Sequence, residues 1–265
     1  MSKAPTMSPV PNSTEAARLK DGFHIEMSPR RVRTYFGGEL IADSERVLLV
    51  WDSKRPPAYW FPIADVRMSF LTRKESAEEP HSDIARWRLQ VRDRVAENAA
   101  RSYSHPSGEK AALEDHLAFY WNEMDSWFEE DQEVFVHPRD PYKRVDVVAS
   151  SRHVRVEIDG QVVAETSRPH LLYETGLPTR YYIPKQDVRM DLLEPTDSTS
   201  QCPYKGTAVY WSFHTGGKSF NDIVWSYPAP IPECTKIENL LSFYNEKVDL
   251  FVDGKLQERP RSPFS

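Results

Sequence analysis

The stretch "YWFPIADVRM", Tyr59 to Met68, returns 122 residues later as "YYIPKQDVRM", Tyr181 to Met190, with Asp-Val-Arg-Met unchanged. Working outward, Ser28 to Leu71 aligns without a gap on Ser150 to Leu193, with 16 identities in 44 positions. The offset then becomes 124. It pairs Trp87 with Trp211, Ser102-Tyr103 with Ser226-Tyr227, Phe119-Tyr120 with Phe243-Tyr244, and Asp125 with Asp249. Two copies of this length are two domains, not turns of a solenoid. The joint falls in "HPRDPYKR", His137 to Arg144, a polar, proline-containing stretch suited to a boundary. The reading is a disordered segment at 1–22, rich in Pro, Ser and Thr, a first repeat at 23–143 and a second at 144–265.

Each copy carries the same local pattern. "VRTYFGGELIAD" and "VRVEIDGQVVAE" alternate apolar and polar residues around Gly-Gly or Asp-Gly, the pattern of a β-hairpin. "LLVWD", "LLYET", "AYWFP", "RYYIP", "ARWRLQV" and "AVYWSFHT" read as further strands. The period then changes. Leu113, Leu117, Tyr120, Trp121, Met124 and Phe128 fall at helical spacing, as do Ile237, Leu241, Tyr244, Val248 and Phe251. The expected class is mainly β (α+β), two tandem domains of antiparallel strands, each with one amphipathic helix near its end. "EVFVHP" and "DLFVDGKLQER" are expected to return to strand.

Composition narrows the function classes. The formal net charge is −6, and no basic run occurs, which argues against nucleic-acid binding. No apolar run reaches the ~18 residues of a membrane span. Cys202 and Cys234 belong to no CxxC pair, so a reducing, cytoplasmic setting is expected.

"RRVR…GG…AD…RVLLVW", "YWFPIADVRM", "CPYKG…YWS" and "LAFYWNEMDSWFEEDQEVFVHPRDPY" together closely resemble the family called domain of unknown function 427, in both copies from about Phe23 onward. The family is found in bacteria and fungi and sometimes carries a nucleotidyltransferase-like label. The resemblance implies a β-tent-like domain, in which two antiparallel sheets meet at an angle, with a ligand cleft between them in several relatives. Some relatives pin the sheets with a zinc on paired CxxC motifs; without such pairs, no structural zinc is expected here.

The residues themselves do not support nucleotidyl transfer. "SFHTGGKS" has Ser212 where a phosphate loop needs its first glycine, and a Gly-Gly-Lys hairpin turn reads better. No Gly-Ser loop with a following Asp-x-Asp is present. The eight histidines, His81, His105 and His137 among them, are scattered and form no HxxxH, so no metal site is expected. Cys202 stands three residues before Lys205, whose charge suits a reactive thiol; a buried packing role is the simpler reading. The corresponding positions of copy one hold Glu78 and His81. Tyr210 and Trp211 point opposite ways on a strand, so one faces the core and the other a cleft or the surface. Asp65/Arg67 and Asp187/Arg189 share a face if on a strand, forming a structural ion pair or holding an anion.

The expectation is a cofactor-independent enzyme, of isomerase, cyclase, lyase or hydrolase type, acting on a small organic molecule in an aromatic-lined cleft. A non-catalytic module for a peptide or metabolite is the alternative. Cys202, Asp222 and Glu97 are the candidate reactive groups. Tyr204, Lys205, Tyr210, Trp211, Trp225, Tyr227, Arg189, Tyr182, Trp87 and Tyr103 are the candidate ligand contacts. The expected partner is a small-molecule ligand, with no nucleic acid or membrane, and the chain is a monomer or homodimer.

Overall fold

A computed structural model describes residues 22–52, 56–74 and 83–265. The expected disordered lead-in, apart from Gly22, lies outside the described residues, as do Glu78 and His81. The chain forms two compact units that meet in sequence at Asp140 and Pro141.

Unit 1 holds β1 (Phe23–Met27), β2 (Val32–Phe36), β3 (Glu39–Ser44), β4 (Leu48–Asp52), β5 (Ala58–Pro62), β6 (Leu71–Arg73), β7 (Ile84–Val91), β8 (Arg94–Tyr103), β9 (His116–Phe119), β10 (Ser126–Glu129) and β11 (Gln132–Glu133). They form a long sheet, β1-β4-β5-β9-β8-β7-β6, and a short one, β11-β10-β2-β3. Unit 2 holds β12 (Val145–Ala149), β13 (Val154–Ile158), β14 (Gln161–Thr166), β15 (His170–Glu174), β16 (Arg180–Tyr182), β17 (Leu193–Cys202), β18 (Gly206–Thr215), β19 (Lys218–Ser226), β20 (Leu241–Phe243), β21 (Asp249–Val252) and β22 (Lys255–Leu256). Its short sheet is β14-β13-β21-β22, and two further sheets run β12-β15-β16 and β17-β18-β19-β20. Ile183 and Leu241 exchange backbone hydrogen bonds of 2.7 and 2.9 Å and join these last two side by side. The long-sheet order of unit 1 is thereby repeated strand for strand.

The chain is mainly β, with antiparallel ladders in two tandem units, as the repeat implied. Gly37-Gly38 and Asp159-Gly160 all have positive φ, from 51° to 79°, which closes the two expected hairpins with two-residue turns matched to strand twist. Gly216-Gly217, at φ 53° and 80°, closes β18 onto β19, so "TGGK" is a hairpin turn.

The helical spacing is misleading. Each unit has one six-residue 3₁₀ turn near its end, Gly108–Leu113 and Pro232–Ile237, and no α-helix follows. Asp115 and Asn239, at φ 56° and 57°, break the backbone, and β9 and β20 then enter the middle of the long sheet. Leu113 and Leu117 are both buried, but on different elements. Tertiary pairing overrides the local period. The register also corrects one alignment. Ser126 faces Tyr35 as Asp249 faces Glu157, so Ser126, not Asp125, is the partner of Asp249.

The shared Asp-Val-Arg-Met forms 3₁₀ turns rather than a strand. Asp65 accepts from Ser44 Oγ at 2.7 Å and pairs with Arg46 at 2.9 Å; Asp187 does the same with Thr166 at 2.7 Å and Arg168 at 3.0 Å. The expected Asp–Arg pair two residues apart does not form. The aspartate instead ties the turn to the end of β3 or β14.

Strand alternation sorts the long sheet into two faces. The inner face packs on the short sheet: Tyr59, Phe61, Leu89 and Leu117 meet Val32, Phe36 and Trp127 in unit 1. Ile183, Phe213, Val224 and Leu241 meet Val154, Val156 and Leu250 in unit 2. The space between the sheets is therefore core, and the alternate residues collect on the outer face of the long sheet.

Candidate functional site

On the outer face of unit 2, the register sets His170 opposite Tyr182, and Ser242 opposite Trp225, which in turn faces Tyr210. Tyr182, Trp225 and Tyr227 are buried, and Trp225 Nε1 donates to Tyr182 Oη at 3.1 Å. Burial raises the Tyr182 and Tyr227 phenols well above their ordinary range, so both stay neutral. Ser242 Oγ, fully buried between these rings, has no hydrogen-bond partner among the described residues.

"CPYKG" closes the hairpin of β17 and β18, with Cys202 paired to Gly206. Pro203 presets the turn, and Lys205 N–H donates to Cys202 O at 3.3 Å. Gly206 is required twice over: its φ is 107°, and a Cβ there would meet Ala229 O at 3.2 Å. The Pro232–Ile237 turn docks beneath. Ile231 N–H donates to Lys205 O at 3.0 Å, and Cys234 Sγ to Tyr204 O at 3.2 Å. Burial pushes the Cys234 thiol up to about 11, which keeps it a donor. Cys202 is half-buried beside it in the same cluster.

Two ion pairs are sunk into this face. Lys205 Nζ bonds Glu174 Oε2, and Lys143 approaches Glu174 Oε1 at 3.4 Å. Burial pulls the Lys205 ammonium down, but attraction to Cys202 and Glu174 outweighs it and holds the pKa above its ordinary value. Arg180 makes a bidentate pair with Glu246, 2.7 Å on each arm, with side chains only 7% and 0% exposed. The guanidinium also lies over the rings of Trp225 at 5.5 Å, Tyr244 at 5.9 Å and Phe264 at 5.6 Å. Burial would raise the Glu246 carboxyl, but hydrogen bonds from Arg180 and Ser262 hold it below the usual range.

Seven candidate residues are therefore brought together: Tyr182, Cys202, Tyr204, Lys205, Tyr210, Trp225 and Tyr227. The others are placed elsewhere. Trp211 and Trp87 pack on the cores of the inner face, Trp87 Nε1 donating to Ser102 Oγ at 2.9 Å. Asp222 is a bulge staple, accepting from Thr196 and Ser198 hydroxyls at 2.7 Å each. Glu97 is exposed on a hairpin of unit 1, paired with Arg88 at 3.0 Å, whose hydrogen bond lowers its pKa; that carboxylate is no proton donor near neutral pH. Arg189 is exposed and pairs with Asp191 at 2.6 Å. Tyr103 lies on the outer face of unit 1, stacked on Trp60 at 5.4 Å. There Lys110 sits over Tyr103 at 5.0 Å, beside an open groove of 480 Å³ lined also by Asp83, His105 and Glu109.

Sequence reading passed over Glu174, Arg180, Tyr244 and Glu246. The repeat held the signal for two of them: Arg180 corresponds to Ala58, and Glu246 to Asn122. One copy forms this fold without that pair.

The sequence profile of the family described as Domain of unknown function (DUF427) matches residues 24–130 and 146–254, one match in each unit. The chain belongs to the DUF427 family. No curated protein matches it. Each match covers nearly all of its unit's long and short sheets, so the buried Arg180–Glu246 pair is a difference within one family fold. Among the described residues, no group of three or more His, Cys, Asp or Glu is placed to hold a metal ion, and no helix is long and apolar enough to cross a membrane.

Proposed function

We propose that unit 2 is the working copy of a small-molecule enzyme, and that its site is the corner where the Cys202–Lys205 turn meets Glu174, Tyr182 and Tyr227. The observation that carries this reading is the pair of ion pairs sunk into the outer face of unit 2. Burying charge is costly, and removing one partner costs more than replacing both. The fold does not need the Arg180–Glu246 pair, because unit 1 forms the same sheet with Ala58 and Asn122 there. Charge kept at that cost suits a ligand face.

The roles follow from placement. Cys202, half-buried at the rim, is the reactive group. Lys205, protonated and fixed by Glu174, holds an anionic centre or gives up a proton to one. Tyr204 and Tyr210 are the accessible rings, and Tyr210 Oη shares a 2.6 Å hydrogen bond with Ser200. The reaction belongs to the isomerase, cyclase, lyase or hydrolase types, on a small organic molecule. Two free thiols suit a cytoplasmic setting. The open groove of unit 1 favours a second reading, a binding module without catalysis.

The test is native mass spectrometry of the purified chain, paired with depletion of a small-metabolite extract. The full chain should retain or consume an organic molecule, and Lys205→Met and Cys202→Ala should not. Retention without consumption, unaffected by Cys202→Ala, favours the binding module. A chain that retains and depletes nothing, or a Lys205→Met chain that behaves as the original, refutes the site.

A further inference from the structure

The segment after β22 is exposed and forms no strand, yet it ends on the buried pair. Arg259 anchors it to Asp249 at 2.8 Å. Ser262 to Ser265 fold into a small turn: Ser265 N–H donates to Ser262 O at 3.2 Å, and Phe264 N–H to Ser262 Oγ at 3.1 Å. That turn presents two groups to one place. Ser262 Oγ donates to Glu246 Oε1, the oxygen that also accepts from Arg180 Nη2. The Phe264 ring meets the Arg180 guanidinium, and Tyr244 at 5.9 Å. Phe264 is nonetheless 42% exposed, so this is a one-sided contact on a surface segment, not core packing.

From this we infer that Arg180, Glu246, Trp225 and Tyr244 form a binding site for a small aromatic molecule carrying a hydrogen-bond donor, and that Ser262 and Phe264 fill it as a displaceable internal ligand. The chemistry of the ligand is read from its stand-in. The carboxylate of Glu246 accepts a hydroxyl, and the flat face of a guanidinium already neutralised by that carboxylate takes a ring. The site is continuous with the Cys202–Lys205 corner through the Trp225–Tyr182 hydrogen bond, so the inference rests on the reading of this face as a ligand face. A tethered competitor lowers the apparent affinity by the fraction of time it is away. With an open state on the order of 10% populated or less, removing the ring strengthens external binding at least about tenfold.

The probe is 2-phenylethanol, which joins the Phe264 ring and the Ser262 hydroxyl in one molecule. The readout is the Trp225 indole N–H resonance of the full chain, identified with Trp225→Phe, with and without Phe264→Ala. Phe264 is too exposed for that substitution to threaten the fold. The expected result is a Trp225 shift on titration, with a dissociation constant at least about tenfold lower in Phe264→Ala. Equal affinity in the two chains, or no Trp225 shift in Phe264→Ala, overturns the inference. Failure of the proposed function is read separately, in the response of the retained molecule to Lys205→Met.

Discussion

Replacing Glu246 by alanine should be among the most destabilising single changes available in unit 2. The Arg180 guanidinium is 7% exposed and gives two hydrogen bonds of 2.7 Å to a carboxylate that is fully buried. Removing the acceptor strands a buried cation, which costs about 3–5 kcal/mol. Arg180→Ala strands the carboxylate and costs a similar amount, again about 3–5 kcal/mol. The double variant Arg180→Ala/Glu246→Asn installs the residues of unit 1. It strands neither charge and loses chiefly the ring contacts to Trp225, Tyr244 and Phe264, at about 0.5–1 kcal/mol each. The double change should therefore cost about 2 kcal/mol, against roughly 6–10 for the sum of the singles. Urea unfolding at pH 7 of the original chain, Arg180→Ala, the matching single Glu246→Asn and the double variant, followed by tryptophan fluorescence with the slope m compared among them, gives all four corners of the cycle. Additive singles, or a Glu246→Ala loss below about 1 kcal/mol, would show that the pair is not a coupled buried unit and would remove the main support for the proposed site.

Three further outcomes are expected. Glu246 has an ordinary pKa of 4.5 and is held lower in the fold, so below pH 4.5 the unfolded chain binds the proton first; stability should fall through that window, and Glu246→Gln should flatten the loss in acid denaturation curves. With a disulfide-exchange reagent at neutral pH, the native chain should show one fast thiol, Cys202, because Cys234 is fully buried with its pKa near 11; two fast thiols would contradict the packing of the Pro232–Ile237 turn. Gly206→Ala forces a Cβ into the left-handed region at φ 107°, 3.2 Å from Ala229 O, and should cost about 1–3 kcal/mol in the same urea assay, whereas Gly217→Ala, with open space around it, should cost less.

The repeat was open to reading because it needs only matched residues at a constant offset. The hairpins at Gly37-Gly38 and Asp159-Gly160 were open for a local reason: positive φ at both central positions selects those residues. The opposite facing of Tyr210 and Trp211 followed from alternation alone; they lie in different clusters. The helix was misread because Leu113, Leu117 and Met124 keep helical spacing while serving a 3₁₀ turn, a strand and a loop. Only pairing with β5 and β8 decides that, and those partners lie 54–56 residues back along the chain in β5 and 15–19 in β8.

The site divides along the same line. That Cys202, Tyr204 and Lys205 stand together is local, since residues of one tight turn cannot separate. That Lys205 bonds Glu174, and Arg180 bonds Glu246, is long-range; the repeat marks Arg180 and Glu246 as positions where the copies differ, but no motif says that they meet. Asp222 and Glu97 looked available as isolated carboxylates; the hydroxyls of Thr196 and Ser198 and the charge of Arg88, set beside them by strand pairing, take them out of reach. By itself, the amino-acid sequence determined two antiparallel β units of one design, because alternation, turn chemistry and the 122-residue repeat are properties of neighbours along the chain. Which face of the long sheet gathers charge, and in which copy, was decided only by tertiary structure, because burial and ion pairing belong to groups that meet through space.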